Sequence, residues 1–172
     1  LDIVRSGIIT YGLYPSEEVV KTISDLTPAM RWESYISFLK EIPAGEEISY
    51  GGTYTTTRTT KVATVPVGYA DGYPRLLSNC GRVIIRGQYA PIVGRVCMDQ
   101  FMVDVSHIED VCEGDKVTLI GEDGHEFISA DYLGELSGRF NYELVCDLNQ
   151  RLPRVYIRNG RIDSFWQHRN KE

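Results

Sequence analysis

From Trp32 onward, apolar and polar positions alternate with the period of two expected of half-buried strands. MRWESYISFLKEIP reads as one strand, and PAGEEIS supplies the turn after it through Pro43 and Gly45. TKVATVPVGY, GRVIIRG, APIVGRV, QFMVDVS and DKVTLIG follow as short β-rich runs. Glycine, proline and acidic turns separate them, which is the spacing of a barrel or sandwich. Pro66 inside the first of these runs points to an edge or a bulge.

The two ends of the chain read differently. LDIVRSGIITYGLYPS opens with a short apolar, strand-like run interrupted by Arg5 and Gly7, and closes on a Tyr-Gly-Leu-Tyr-Pro turn. Such a strand has little to pair with locally, so it is expected to belong to a larger unit. EEVVKTISDLT is a short helical turn or a loop, ended by Pro28. Further on, Ser129 or Asp131 can cap a helix running to Leu136, and Asn141 can cap a second one, ELVCDLN, before Pro153 turns the chain into a last strand. The tail WQHRNKE is expected to fray.

Composition narrows the class. The 172 residues fit one domain, or one domain with an appended segment, and 42% hydrophobic with 24% charged residues is ordinary for a globular chain. No apolar run approaches the roughly 20 residues that span a bilayer, and nothing at the start resembles a signal peptide. The chain itself is therefore expected to be cytoplasmic and not membrane-bound. A net charge of -6 argues against nucleic acid or an anionic membrane as partner. Cys80, Cys97, Cys112 and Cys146 lie far apart without ligand spacing, which predicts buried free thiols and no metal site. His107, His125 and His168 sit in polar surroundings and are expected at the surface.

Three polar loops could carry chemistry. ISYGGTYTT places Tyr50 before two glycines, where the backbone is free to bend. The ordinary reading of Tyr50 and Tyr54 is a packed ring with its hydroxyl on a surface or backbone partner. With an ordinary pKa near 10, a tyrosine acts as a base at neutral pH only beside a cation. GYADGYPR presents Tyr69 and Asp71 either as plain turn chemistry or at the rim of a cleft. In GRVCMDQFMVDV, Cys97 and Met98 read as core filling, whereas Asp99, amid so much apolar sequence, must lie at a turn or be paired. No nucleophile arrangement, phosphate loop or dinucleotide fingerprint appears. From the residues alone, the chain is a β domain with three polar loops.

Taken together the motifs say more. VRSGIITYGLYPS, ISYGGTYTT, VPVGYADGYPR, APIVGRVCMDQFMVDVS and FNYEL, in that order, resemble the C-terminal part of bacterial alanine racemases, from Ile3 to about Tyr156. The resemblance implies a mainly β, Greek-key-like barrel domain with a few short helices, residues 16–172, preceded by the last strand and junction of a missing N-terminal (β/α)8 barrel, residues 1–15. It implies a pyridoxal 5'-phosphate enzyme of fold-type III that interconverts L-alanine and D-alanine for peptidoglycan synthesis. The partners implied are the missing barrel and a second subunit, in a homodimer whose active site is shared between subunits.

Position by position, Tyr50 matches one of two catalytic bases. The other is a lysine in a KANAYGHG-like motif that this sequence lacks, so the chain alone is expected to be inactive. Arg5 matches the arginine facing the cofactor's pyridine nitrogen, and because guanidinium keeps its proton the ring becomes a weaker electron sink. Gly7, Ile8 and Tyr142 match positions that bind the cofactor phosphate. Met98 matches the residue whose backbone N–H meets the substrate carboxylate, and Tyr69 and Asp99 match the gate of the substrate channel. The alternatives are a serine/alanine racemase domain of the glycopeptide-resistance type, whose parent can be fused to a membrane segment, or a non-catalytic dimerisation or lid module.

Overall fold

A computed structural model describes residues 2–16, 18–19 and 25–167. The strands are β1 (Trp32–Tyr35), β2 (Phe38–Ile42), β3 (Glu47–Ile48), β4 (Tyr54–Thr55), β5 (Thr60–Val65), β6 (Arg82–Ile85), β7 (Gln88–Pro91), β8 (Phe101–Asp104), β9 (Lys116–Asp123) and β10 (Glu126–Ile128). Helices α1 (Ala130–Leu136) and α2 (Asn141–Cys146) follow, then the hairpin β11 (Arg154–Arg158) and β12 (Arg161–Trp166). The domain is mainly β, as the alternation predicts.

β9 is the axis of the larger sheet. It pairs antiparallel with β1, β6 and β10, with β7 outside β6. Five consecutive residues of β9, Val117–Gly121, are buried, as befits a strand covered on both faces. A second sheet runs β2-β5-β8, and an isolated bridge from Ile92 to Val103 ties it to the end of β7. Between the sheets lies one apolar core centred on Tyr73, whose ring stacks on Phe101 at 5.0 Å and meets Trp32 edge-on at 5.7 Å. A smaller cluster of Ile48, Val62 and Val93 supports the β3–β4 hairpin.

Several elements differ from expectation. The run Trp32–Ile42 is two strands in two sheets: Ile36 N–H donates to Asp115 and Ser37 N–H to Thr64, so the chain crosses between sheets at that point. Pro66 ends β5, having no N–H for the ladder, and does not interrupt it. APIVGRV leaves the sheet after Pro91, because Gly94 turns at φ +81°. No strand forms over residues 2–6; a 3-10 helix spans Gly7–Tyr11, closed by Gly12 at φ +72°, and Ile3 and Val4 stand exposed. Ser129 caps α1 by accepting from Tyr132 N–H. Asn141 does not cap α2, which begins after Phe140; its amide Nδ2 donates to Tyr14 O at 3.1 Å and to Asp131 Oδ1 at 2.6 Å, tying the first segment to both helices. Of the cysteines only Cys97 is buried; Cys80, Cys112 and Cys146 are exposed and free. His107 and His125 are exposed, His168 lies outside the described residues, and most of the 17–24 stretch does too.

Among the described residues no helix is long and apolar enough to cross a membrane, and no group of three or more His, Cys, Asp and Glu is placed to hold a metal ion.

Candidate active site

Tyr50 stands at the tip of the β3–β4 hairpin, and its side chain is outside the core although its neighbour Ile48 is buried within it. The reversal is forced by backbone geometry. Ser49 adopts φ +67°, Gly51 φ +74° and Gly52 φ +55°, a sequence of turns open to glycine and costly for most other residues. A side chain on Gly52 would strike the Glu47 carboxylate. The hairpin tip is then fixed from outside: Ser49 Oγ donates to Arg95 O at 2.8 Å, and Gly94 lies so close that an added Cβ would come within 2.6 Å of Ile48 O. The Tyr50 side chain itself remains 75% exposed, with the Arg95 guanidinium beside Gly51.

Residues 94–99 carry this support on to the next loop. Cys97 N–H donates to Gln100 O, which folds Met98 and Asp99 into a tight, exposed turn. Tyr69 N–H donates to Cys97 O and Ala70 N–H to Met98 O, both at 3.0 Å. Gly68 permits this approach: any Cβ there would collide with the carbonyls of Cys97 and Met98. Among the described residues the Met98 N–H has no hydrogen-bond partner and points from an exposed residue. Tyr50, Tyr69, Met98 and Asp99 thus stand on three loops laid against one another backbone to backbone.

Asp99, expected at a turn or paired, and Asp71, expected in a turn or at the rim of a cleft, are joined by a residue that no motif marks. Arg151 Nε donates to Asp71 Oδ1 at 2.6 Å and its Nη2 to Asp99 Oδ1 at 2.7 Å. The two carboxylates, Asp71 first, hold the guanidinium pKa above its ordinary value. Asp71 is buried and also accepts the Gly68 N–H at 2.9 Å through Oδ2. Arg151 comes from the Asn149–Leu152 turn, 80 residues from Asp71, so neither spacing nor composition could have pointed to it.

The residues expected at the cofactor phosphate form a second group. Gly7, at φ +62°, faces the Tyr142 hydroxyl, which lies 3.9 Å from where a Cβ would stand. The Tyr142 ring is stacked on Phe140 at 4.7 Å, and among the described residues no hydrogen bond occupies its hydroxyl. Ile8 is buried beside them, fixing the backbone of the turn. Arg5 is exposed and, among the described residues, pairs with no carboxylate. The two groups connect through α2: Gly72, in the Tyr69 loop, packs directly on the carbonyl of Asp147 at the end of the helix that carries Tyr142.

Residues 29–156 match the family model described as alanine racemase, C-terminal domain. The chain belongs to that family. An alanine racemase of Halothermothrix orenii is 56% identical over 156 residues, covering 91% of this chain and 41% of that protein, and one from Clostridium perfringens is 51% identical over 162 residues, covering 94% and 42%. The alanine racemase structure from Bacillus anthracis, solved with bound L-Ala-P, superposes with a TM-score of 0.88 at 42% identity over 94% of this chain and 41% of that one. The Clostridium difficile enzyme in complex with cycloserine gives 0.86 at 41% identity, over 94% and 42%. The chain therefore spans about two fifths of the relatives it matches. For this alanine racemase C-terminal domain, Tyr50, Tyr69, Met98, Asp99, Tyr142 and Arg151 all fall inside the matched range, while Arg5, Gly7 and Ile8 precede it.

Proposed function

We propose that this domain belongs to a pyridoxal 5'-phosphate-dependent alanine racemase that interconverts L-alanine and D-alanine for peptidoglycan synthesis. Residues 1–15 are read as the end of a (β/α)8 barrel and residues 16–172 as the domain that completes its active site. The observation that carries the reading is the exposed tyrosine on a locked backbone. Tyr50 is held at its hairpin tip by Ser49 and Gly94, yet its side chain is largely exposed, and the adjoining loops offer a Met98 N–H without a partner among the described residues and the polar groups of Tyr69 and Asp99. A domain that fixes a phenol so firmly and leaves it largely exposed is presenting that phenol to another polypeptide, here the barrel of a second subunit.

In this reading Tyr50 takes or returns the Cα proton of alanine on one face, and a barrel lysine outside this chain serves the other face, as inversion requires. The Met98 N–H binds the substrate carboxylate, and Tyr69 and Asp99 narrow the entrance to the size of a small amino acid. Pyridoxal phosphate, when bound, supplies the electron withdrawal that makes the Cα proton removable. The residues fit that group: the Tyr142 hydroxyl, unengaged among the described residues and opposite the open backbone of Gly7 and Ile8, suits a phosphate, and Arg5, with no carboxylate partner among the described residues, can face the pyridine nitrogen without surrendering its proton. Two of the matched structures carry L-Ala-P and cycloserine, which supports alanine as the substrate.

The test restores the barrel and measures racemisation in both directions, with visible cofactor absorbance, for wild type and Tyr50→Phe. Loss of a positioned base should lower turnover by about 10²–10⁴-fold while cofactor stays bound. Near wild-type rates in both directions would remove Tyr50 as a base. A parent that binds cofactor but ignores alanine would move the substrate towards serine.

A further inference from the structure

We propose that Arg151 is a positioning residue that steadies the turn carrying the Met98 N–H, by tying Asp99 to a buried carboxylate. This rests on the reading of Met98 as the substrate-carboxylate contact. Backbone bonds hold the turn from the Tyr69 side: Tyr69 N–H donates to Cys97 O, in the same peptide as the Met98 N–H, and Ala70 N–H to Met98 O, both at 3.0 Å, while Cys97 N–H closes the turn on Gln100 O. The side-chain restraint comes through Asp99, whose Oδ1 takes the Arg151 Nη2 at 2.7 Å. An exposed ion pair holds little by itself, and the Asp99 side chain is 61% exposed. What differs here is the far end. Arg151 is already ordered by Asp71, 7% exposed, through its Nε at 2.6 Å, and by its own N–H, which donates to Asn149 Oδ1 at 2.9 Å. Asp71 is in turn fixed by Gly68 N–H on Oδ2 and by Asn149 N–H on its carbonyl. The guanidinium fork bridges an anchored acid to an exposed one, a task that needs two directed donors and that one ammonium cannot perform.

Two variants cut the same bridge at different points in the barrel-restored protein. Arg151→Lys leaves a cation for buried Asp71, so the fold is kept, but cannot reach Asp99 as well; Asp99→Asn leaves the Arg151–Asp71 pair intact. Each should raise KM for alanine about tenfold, the effect of weakening one charge-assisted hydrogen bond, while kcat changes less than about threefold. Each should also speed amide exchange across residues 97–100. The double variant should raise KM no further than either single one, because both remove one link. Unchanged KM in both single variants, or a double variant whose effect is the product of the two, overturns the proposal while leaving Tyr50 and the alanine reading intact. A wild-type parent that does not racemise alanine overturns both.

Discussion

Gly68→Ala isolates the contact that joins two of the site's loops. Gly68 has φ -151° and ψ -166°, extended backbone open to any residue, so its need for glycine is purely steric. The added methyl would meet the carbonyls of Cys97 and Met98, and an ordinary contact begins at 3.4 Å, so the loops must part by about 1 Å. That separation stretches the Tyr69 N–H to Cys97 O and Ala70 N–H to Met98 O hydrogen bonds, both 3.0 Å, beyond useful length. Two such bonds contribute about 2 kcal/mol together, which corresponds to a fall in melting temperature of about 4–8 °C for a chain of this size. KM for alanine in the restored parent should rise with it, because the Met98 turn loses its seat. Gly114→Ala is the matched control: its φ of +88° imposes strain of about 1–2 kcal/mol, but nothing lies within 4 Å, so it should lower stability and leave KM alone. Urea unfolding gives the first quantity and steady-state kinetics the second. A Gly68→Ala protein with wild-type stability and KM would refute the close approach of the loops as the basis of the site.

Other perturbations test the scaffold. Tyr73 is fully buried between Trp32 and Phe101, its hydroxyl has no partner among the described residues, and burial pushes its phenol pKa far up. Tyr73→Phe keeps the stacked ring and removes an unsatisfied group, so it should stabilise the domain by about 1 kcal/mol; a lower urea midpoint would show that the hydroxyl has a partner. Asp115 accepts from Arg86 Nε at 2.8 Å, and that bond, ahead of the opposing effect of burial, holds its carboxyl below the usual range. A depressed folded-state pKa gives stability that is present above the unfolded value, near 3.9, and is lost as pH falls through the folded value. Arg86→Ala should therefore flatten the fall in melting temperature below about pH 4; an unchanged acid limb would refute the pairing.

The mainly β class was legible because alternation reports directly on which side of a sheet a residue faces. Continuity was not legible: Trp32–Ile42 reads as one strand-like run, and only the long-range bonds of Ile36 and Ser37 to Asp115 and Thr64 reveal that the run changes sheets. Asn141 shows the same limit from another side. An asparagine ahead of a helical run reads as a cap, but tertiary partners at Tyr14 and Asp131 take its side chain, and Phe140 precedes the helix in its place. At the site, the glycines flanking Tyr50 gave a local signal, since positive φ is a property of the residue itself. Arg151 gave none, because its meaning lies in two carboxylates 52 and 80 residues away. Met98 entered only through family resemblance, because the contribution proposed for it is a backbone N–H, which carries no mark in the side chain.

The site lies where the packing rules of the domain are broken in a consistent direction. Ile48, Val62 and Val93 form a small core at the hairpin, with Tyr54 packed against it. By contrast, the backbone is turned at Ser49, Gly51 and Gly52 to expel Tyr50, and Tyr69 and Met98 are likewise exposed on the loops alongside. Apolar surface left in water costs about 25 cal/mol per Å², so three large side chains exposed together work against the stability of the domain by itself. The same loops are fixed to one another by backbone hydrogen bonds and through the pairing of Arg151 with the buried Asp71 carboxylate. Rigidity combined with exposure is what the proposed shared active site would demand: the geometry would have to exist before another polypeptide arrives, and the surface completing it would have to come from outside.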